Sequence, residues 1–301
     1  EMDNPITTAK ALNNMAVAYH DQGQTAEALR LLEEAVAIDR RLGSQLGLAK
    51  RLSNMGLMYW KFGDYDRALA TQQEALRLLE ALNHAEGMAV NLGNIGLVYW
   101  HRGEYAAAEA WIRQALAVDE GRGNKEGIAR HLSNLGAICH EQGEPDAAWT
   151  HLQQAHAIQQ EANLRYPLTE TLLRLTETAL TRGDLEAAET FQAQGLALAQ
   201  AINRQDSVFS ARELGARLAA ARGDTALARE KLETLLTEAA GDEQAAQVYF
   251  ALWQTDHHPD DAARALETYR ICLAKTPRYA FQARVDELTR AVRAGIPRAS
   301  L

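Results

Sequence analysis

Glycine returns every 40 residues. Gly23, Gly63, Gly103, Gly143, Gly183 and Gly223 share one spacing, and five residues after each stands an alanine: Ala28, Ala68, Ala108, Ala148, Ala188 and Ala228. Leucine precedes the first five glycines by eleven residues, at Leu12, Leu52, Leu92, Leu132 and Leu172. Seven residues before each glycine comes a small side chain: Ala16, Gly56, Gly96, Gly136, Thr176 or Ala216. Tyr19, Tyr59 and Tyr99 form a further column, continued by Cys139 and Ala179. A fixed internal period of this length restricts the chain to a repeat architecture. Each unit is too small to bury its apolar face alone and must stack on its neighbours.

Each unit reads as two helices. Apolar residues fall at i, i+3 and i+7 in the first, as in Leu52, Met55 and Tyr59. The turn KFGDYD (61–66) follows, with a glycine that can take φ > 0 at no steric cost. The second helix carries the small alanine near its start and another later, at Ala35, Ala75, Ala115 and Ala155, where two backbones can approach closely. Gly43, Asn83, Gly123, Asn163 and Asn203 then fall 40 apart. Glycine and asparagine tolerate the left-handed conformation just past a helix end, so this column marks helix stops. An Ala- and Leu-rich chain with few prolines favours helix over sheet.

The period changes after Gly223. The next turn, His257-His258-Pro259-Asp260-Asp261, comes about five residues early, with Ala263 in the small position. The reading is therefore six 40-residue units, approximately 5–43, 44–83, 84–123, 124–163, 164–203 and 204–240. A shortened seventh repeat covers 241–276, and a capping helix and tail cover 277–301. Terminal repeats are expected to be atypical because they shield the core from water.

The run Leu-x-Asn-Leu-Gly-x-x-Tyr-x-x-x-Gly-x-x-x-x-Ala resembles the tetratricopeptide repeat. More closely, it is similar to the 40-residue variety with the Leu-Gly-Asn signature, which occurs in spindle-orientation adaptors. Similar arms form the sensor ends of bacterial signalling ATPases and MalT-like regulators. The resemblance covers residues 5 to about 240. It implies an all-α fold: a right-handed α–α superhelix of about seven helix pairs plus a C-terminal capping helix. It also implies that the first helices line a concave groove.

On that assignment three columns face the groove. The first is Asn14, Asn54, Asn94 and Asn134. Asparagine slightly weakens a helix interior, so four in register need another reason. A side-chain amide offers a donor and an acceptor together, which matches a peptide group. Such a row can hold an extended chain by its backbone, or it can bond to neighbouring helices and fix their stacking; an amide has capacity for both. The second column holds His20, Trp60, Trp100 and His140, with Leu57 and Leu97 one turn earlier. Tryptophan is enriched in binding hot spots, and the alternative is packing over the turn. The third holds Lys10, Lys50 and Arg130, interrupted by Val90. These could meet acidic groups or a C-terminal carboxylate on a ligand, or form a solvated rim. In the fifth and sixth repeats the asparagine column becomes Arg174 and Leu214, while Glu170, Glu177 and Arg217 enter, so a different surface is expected there.

The remaining signals exclude more than they assign. A net charge of −9 argues against nucleic acid as partner. No run of 18 apolar residues exists, so no membrane span is expected. EMDNPITTAK lacks the basic and apolar regions of a signal peptide. Two cysteines without a CxxC pattern fit a reducing, cytoplasmic setting. GRGNKEG lacks the Gly-Lys-Ser/Thr of a phosphate loop, and TDHHPDD (255–261) is ordinary turn and helix-cap chemistry despite its metal-ligand residue types. No catalytic signature appears, and no cofactor or metal is expected. The expected function is a non-enzymatic scaffold that binds a protein or peptide segment, one role for which is the sensor arm of a larger signalling protein. The alternatives are a small-molecule-sensing regulatory module and a structural self-assembly module, and the pattern leaves oligomeric state open.

Overall fold

A computed structural model describes residues 4–294, which form fifteen α-helices and no strand. The first three residues and the tail expected after the capping helix lie outside the described residues. The chain divides into two compact units, Glu1–Gly127 and Ile128–Leu301.

The first unit contains three helix pairs. They are α1 (Pro5–Asp21) with α2 (Thr25–Leu42), α3 (Gln45–Phe62) with α4 (Tyr65–Ala81), and α5 (Ala85–His101) with α6 (Tyr105–Arg122). The second unit takes up α7 (Lys125–Glu141) with α8 (Pro145–Glu161), α9 (Arg165–Arg182) with α10 (Leu185–Ala201), and α11 (Gln205–Ala221) with α12 (Thr225–Thr237). It ends with α13 (Asp242–Asp256), α14 (Pro259–Lys275) and the single helix α15 (Tyr279–Ala294). Consecutive helices pack on one another from α1 to α6 and from α8 to α15, and Gly136 of α7 lies against Leu152 of α8, as a helical-repeat fold requires.

The glycine column is what turns the chain. Gly63 has φ +85°, and its N–H donates to the Trp60 carbonyl at 3.0 Å while the Asp64 N–H donates to Tyr59 at 2.9 Å. Those two bonds close the helix end in a Schellman arrangement. Asp64 then starts the next helix, its carboxylate accepting from the Arg67 N–H at 3.1 Å. The helix-stop column is also left-handed: Asn83, Asn163 and Asn203 have φ of 50°, 53° and 56°.

Small residues permit the crossings. The six alanines that follow the turn glycines are fully buried. At Gly96 an added Cβ would lie 2.5 Å from Ile112 Cγ1 and 3.2 Å from the Ala108 carbonyl oxygen, so α5 and α6 meet where no side chain fits. In the seventh pair, His257 takes the place of the turn glycine with φ +58°. It follows Gly223 by 34 residues, and five residues on is Ala262, 3% exposed. Ala263, expected in that small position, is exposed. The left-handed residue sets the helix register, and it is His257 rather than a later residue of the turn.

The end of the second unit is covered by α15. Phe281, Val285 and Leu288 are buried with Phe250, Trp253, Leu266 and Tyr269 from α13 and α14. Each such side chain contributes about 1.5–3 kcal/mol by leaving water. No helix among the described residues is long and apolar enough to cross a membrane.

Candidate binding faces of the two units

In the first unit the asparagine column lies on the first helices of the pairs. Asn14 is exposed, and Asn54 and Asn94 are half-buried. Asn54 Nδ2 donates to Asn13 Oδ1 at 2.7 Å, and Asn13 Nδ2 donates to Asn14 Oδ1 at 3.4 Å. One amide of the column is thus tied to the neighbouring helix. Asn94 differs: its Nδ2 is buried and has no hydrogen-bond acceptor in the protein. Behind this face runs a buried polar thread. Asn91 Nδ2 donates to Ser53 Oγ at 3.0 Å, and Gln72 Nε2 donates to the Ser53 carbonyl at 3.0 Å. The thread makes α3, α4 and α5 one hydrogen-bonded group. A hollow of about 330 Å³ opens beside it, lined by Asn13, Lys50, Asn54, Val90 and Asn91 among others. Lys50 and Asn54 therefore share one cavity, while Lys10 is exposed on α1.

The aromatic column is also placed. Trp60 and Trp100 flank His101, with ring centroids at 5.0 Å (interplanar angle 77°) and 5.7 Å (47°). Trp60 is half-buried against the cluster of Tyr59, Leu69, Leu92 and Ile95. Leu57, Leu97 and His20 are half-buried. In the second unit, Asn134 is half-buried on α7 and Arg130 is exposed on the same helix. His140 Nε2 lies 3.0 Å from Thr181 Oγ1 of α9.

The second unit presents a different face. A cavity of about 400 Å³ is lined by Glu170, Leu173, Arg174 and Glu177 of α9, and by Ser210, Glu213, Leu214 and Arg217 of α11. Gln247, Phe250 and Gln254 of α13, Tyr269 of α14 and Arg284 of α15 complete it. Arg217 Nη1 donates to Glu177 Oε1 at 3.1 Å and lies 3.9 Å from Glu213 Oε1. Arg174 Nη1 donates to the Ser133 carbonyl at 3.3 Å. The Arg284 guanidinium stacks over the Phe250 ring at 4.3 Å and bonds to Glu287 at 2.9 Å.

Electrostatics separate the three acids. Burial pushes Glu213 up to about 7, reinforced by Glu177 and opposed by Arg217. Burial also raises Glu177, but Arg217, His140 and Arg284 outweigh it and hold that carboxyl below its ordinary value. Glu141, at the end of α7, is raised by burial and by Glu177. Burial lowers Arg174. The sequence points to Glu170, Arg174, Glu177, Leu214 and Arg217 at this face; it does not point to Glu213, Gln247, Gln254, Tyr269 or Arg284. The spacing of Glu213 four residues before Arg217 was the available signal, since i and i+4 share a helix face.

Asp256 and Asp261 of the seventh turn both pair with Arg229, at 2.7 and 3.0 Å. No group of three or more metal-ligating side chains occurs among the described residues. Cys139 and Cys272 are buried and not joined to each other.

The tetratricopeptide repeat family model matches residues 7–81, 87–161 and 127–201. The matches cover more than half of the chain, which belongs to that family. No curated protein sequence matches it. Aspartyl phosphate phosphatase F from Bacillus subtilis is similar over 95% of this chain and 71% of its own, at 14% identity and TM-score 0.70. The apo form of the quorum sensor NprR from B. thuringiensis is similar over 95% and 77%, at 17% identity and TM-score 0.70. A signal transduction ATPase with numerous domains and a tetratricopeptide repeat sensor, PH0952 from Pyrococcus horikoshii, is similar over 94% of this chain and 44% of its own. Its identity is 15% and its TM-score 0.67. At these identities the likeness is one of fold.

Proposed function

We propose that the chain is a non-enzymatic scaffold that holds a segment of a partner protein, or a peptide, on the faces made by its first helices. The observation that carries this reading is Asn94. Its buried amide donor lacks an acceptor in the protein, and it stands in one column with Asn14, Asn54 and Asn134. A buried donor left unmade costs about 1–3 kcal/mol, and a backbone carbonyl of a bound segment would supply the missing acceptor. Trp60 and Trp100 with Leu57 and Leu97 are the apolar anchors in this reading, and His20 and His140 extend that column. Lys10, Lys50 and Arg130 meet acidic or C-terminal carboxylate groups of the partner. The similarity to a quorum sensor and to an ATPase with a repeat sensor supports the role of sensor arm in a larger signalling protein, which this reading puts in the cytoplasm.

The test is capture from a random peptide library by the wild type and by the Asn54→Ala/Asn94→Ala double variant. Two amide contacts at about 0.5–1.5 kcal/mol each correspond to roughly tenfold weaker capture by the variant. Equal capture by both proteins, with both folded, removes the amide row from the mechanism. A second reading, sensing of a small molecule, draws on the charged cavity of the second unit.

A further inference from the structure

The charged cavity of the second unit has an uneven set of partners. Glu170 lines the cavity but pairs at 3.0 Å with Arg204, which does not line it. Glu177 is bonded to Arg217 at 3.1 Å. Arg284 is committed to Glu287 and to the Phe250 ring, and Arg174 to the Ser133 carbonyl. Glu213 is the group left over. Its side chain is 15% exposed, and its nearest cation, Arg217, lies at 3.9 Å, beyond hydrogen-bond length. The Tyr269 ring also lines the cavity, and its face favours cations, while Arg284 already stacks on the Phe250 ring. Gln247 and Gln254 add neutral hydrogen-bonding groups.

We propose that this cavity holds a protonated primary amine of an organic ligand, seated against the Glu213 carboxylate. The volume, about 400 Å³, fits a small ligand or the first residues of a peptide. The amine supplies the charge-assisted donor that Arg217 does not. Two sources share this chemistry: the amino terminus of a peptide and a free polyamine.

The seat is coupled to protons. Glu213 faces Arg217 on its own helix, Glu170, Arg174 and Glu177 on α9, Tyr269 on α14 and Arg284 on α15, while α13 offers only neutral glutamines. With its carboxyl raised to about 7, mainly by burial, Glu213 is near half-protonated at neutral pH. An ammonium at hydrogen-bond distance draws it to the ionised form and expels the proton. Binding therefore weakens in acid. An amine charged throughout, such as spermidine, should bind about eightfold more weakly at pH 6 than at pH 7.5.

The test is equilibrium dialysis of the full chain against three probes. These are spermidine, a pool of random pentapeptide amides lacking Lys and Arg with free amino termini, and the same pool acetylated. Retention of spermidine or of the free-amine pool, with the acetylated pool not retained, is the expected result, and which of the two is retained identifies the source. Retention should fall at least tenfold in Glu213→Gln. Calorimetric titration of the wild type in two buffers of different ionisation heat adds a readout independent of any variant; about half a proton should leave per amine bound at pH 7. Retention of neither amine, equal retention of the acetylated pool, equal retention by a folded Glu213→Gln, or no proton release overturns the proposal. Spermidine has no peptide group for the asparagine row, so its arm reads this cavity separately from the scaffold reading.

Discussion

In the first unit, the Asp39 carboxylate is 2% exposed and lies 3.6 Å from the Arg51 guanidinium, itself 8% exposed. In the second unit, the residue 120 positions later in the same column is Gln159, and 40 beyond it stands Ala199. The first unit also buries Asp119 in this column, where it accepts from Arg122 at 2.7 Å and Asn124 at 3.0 Å. Asp119 is closed off by those bonds, while Asp39 and Arg51 face each other as a buried ion pair beyond hydrogen-bond length. The second unit removes charge from that position and gathers it instead around a cavity, at Glu177, Glu213, Arg174 and Arg217. One repeat plan thus carries two uses of buried charge: as a joint between repeats, and as the lining of a space that something else can enter. A joint faces each buried carboxylate with an opposite charge on a neighbouring residue; a lining can turn a carboxylate toward open space, and Glu213 is that group.

The comparison is broken most sharply at Asp39. Asp39→Ala leaves the Arg51 charge buried without its partner, and loss of about 3–5 kcal/mol is expected in urea unfolding. Replacing both, as Asp39→Leu/Arg51→Met, should recover most of it. A double variant as unstable as the single one would show that the pair is not a joint. Glu213→Gln has the opposite sign. Because its folded value of about 7 lies above its unfolded value near 4.5, the folded chain holds more protons between those pH values, so this group's contribution falls as pH rises from 4.5 to 7. Removing the charge should therefore stabilise by about 2–3 kcal/mol at pH 8 and change little at pH 4.5. Unfolding curves at the two pH values check this, and a loss of stability at pH 8 would place Glu213 among the joints.

Much of the scaffold was legible in the sequence, because a backbone requirement leaves one residue type per column. Left-handed turns admit glycine and asparagine, and helix crossings admit alanine and glycine; both columns hold in the structure at Gly63, Asn83, Ala68 and Gly96. Side-chain pairing was less legible. The bond from Asn54 goes to Asn13, one residue off its own column, and that offset depends on rotamers rather than on period. Ala262 rather than Ala263 fills the small position because His257 adopts a left-handed conformation uncommon for a side-chain-bearing residue. The cavity was legible on α9 and in Arg217 of α11, where the asparagine column gives way to Arg174 and Leu214. Its other walls come from α13, α14 and α15, where the 40-residue register has ended, so no column could align Tyr269 or Arg284 with Glu213.

The smallest expected effect bears most directly on the difference between the units. Gln159 is 0% exposed, and neither its Nε2 nor its Oε1 has a hydrogen-bond partner. The reason lies in the column arithmetic. The residues that serve Asp119 are Arg122 and Asn124; 40 positions on they are Ala162 and Leu164, which offer no side-chain donor. The counterpart of Arg51 is Thr171, whose hydroxyl donates to Ser133 at 3.2 Å. Gln159 therefore retains the polarity of the joint without its partners. Leu79, in the same column, is buried and apolar, so the site accepts a hydrocarbon of this size. Gln159→Met keeps the length, removes two unmatched polar atoms, and should stabilise by about 1 kcal/mol. The same change at Asp119 should destabilise, because it abandons two charge-assisted bonds. Paired urea unfolding curves decide the matter. If Gln159→Met costs stability as Asp119→Met does, the second unit also uses this column as a polar joint, and the division drawn between the two units fails.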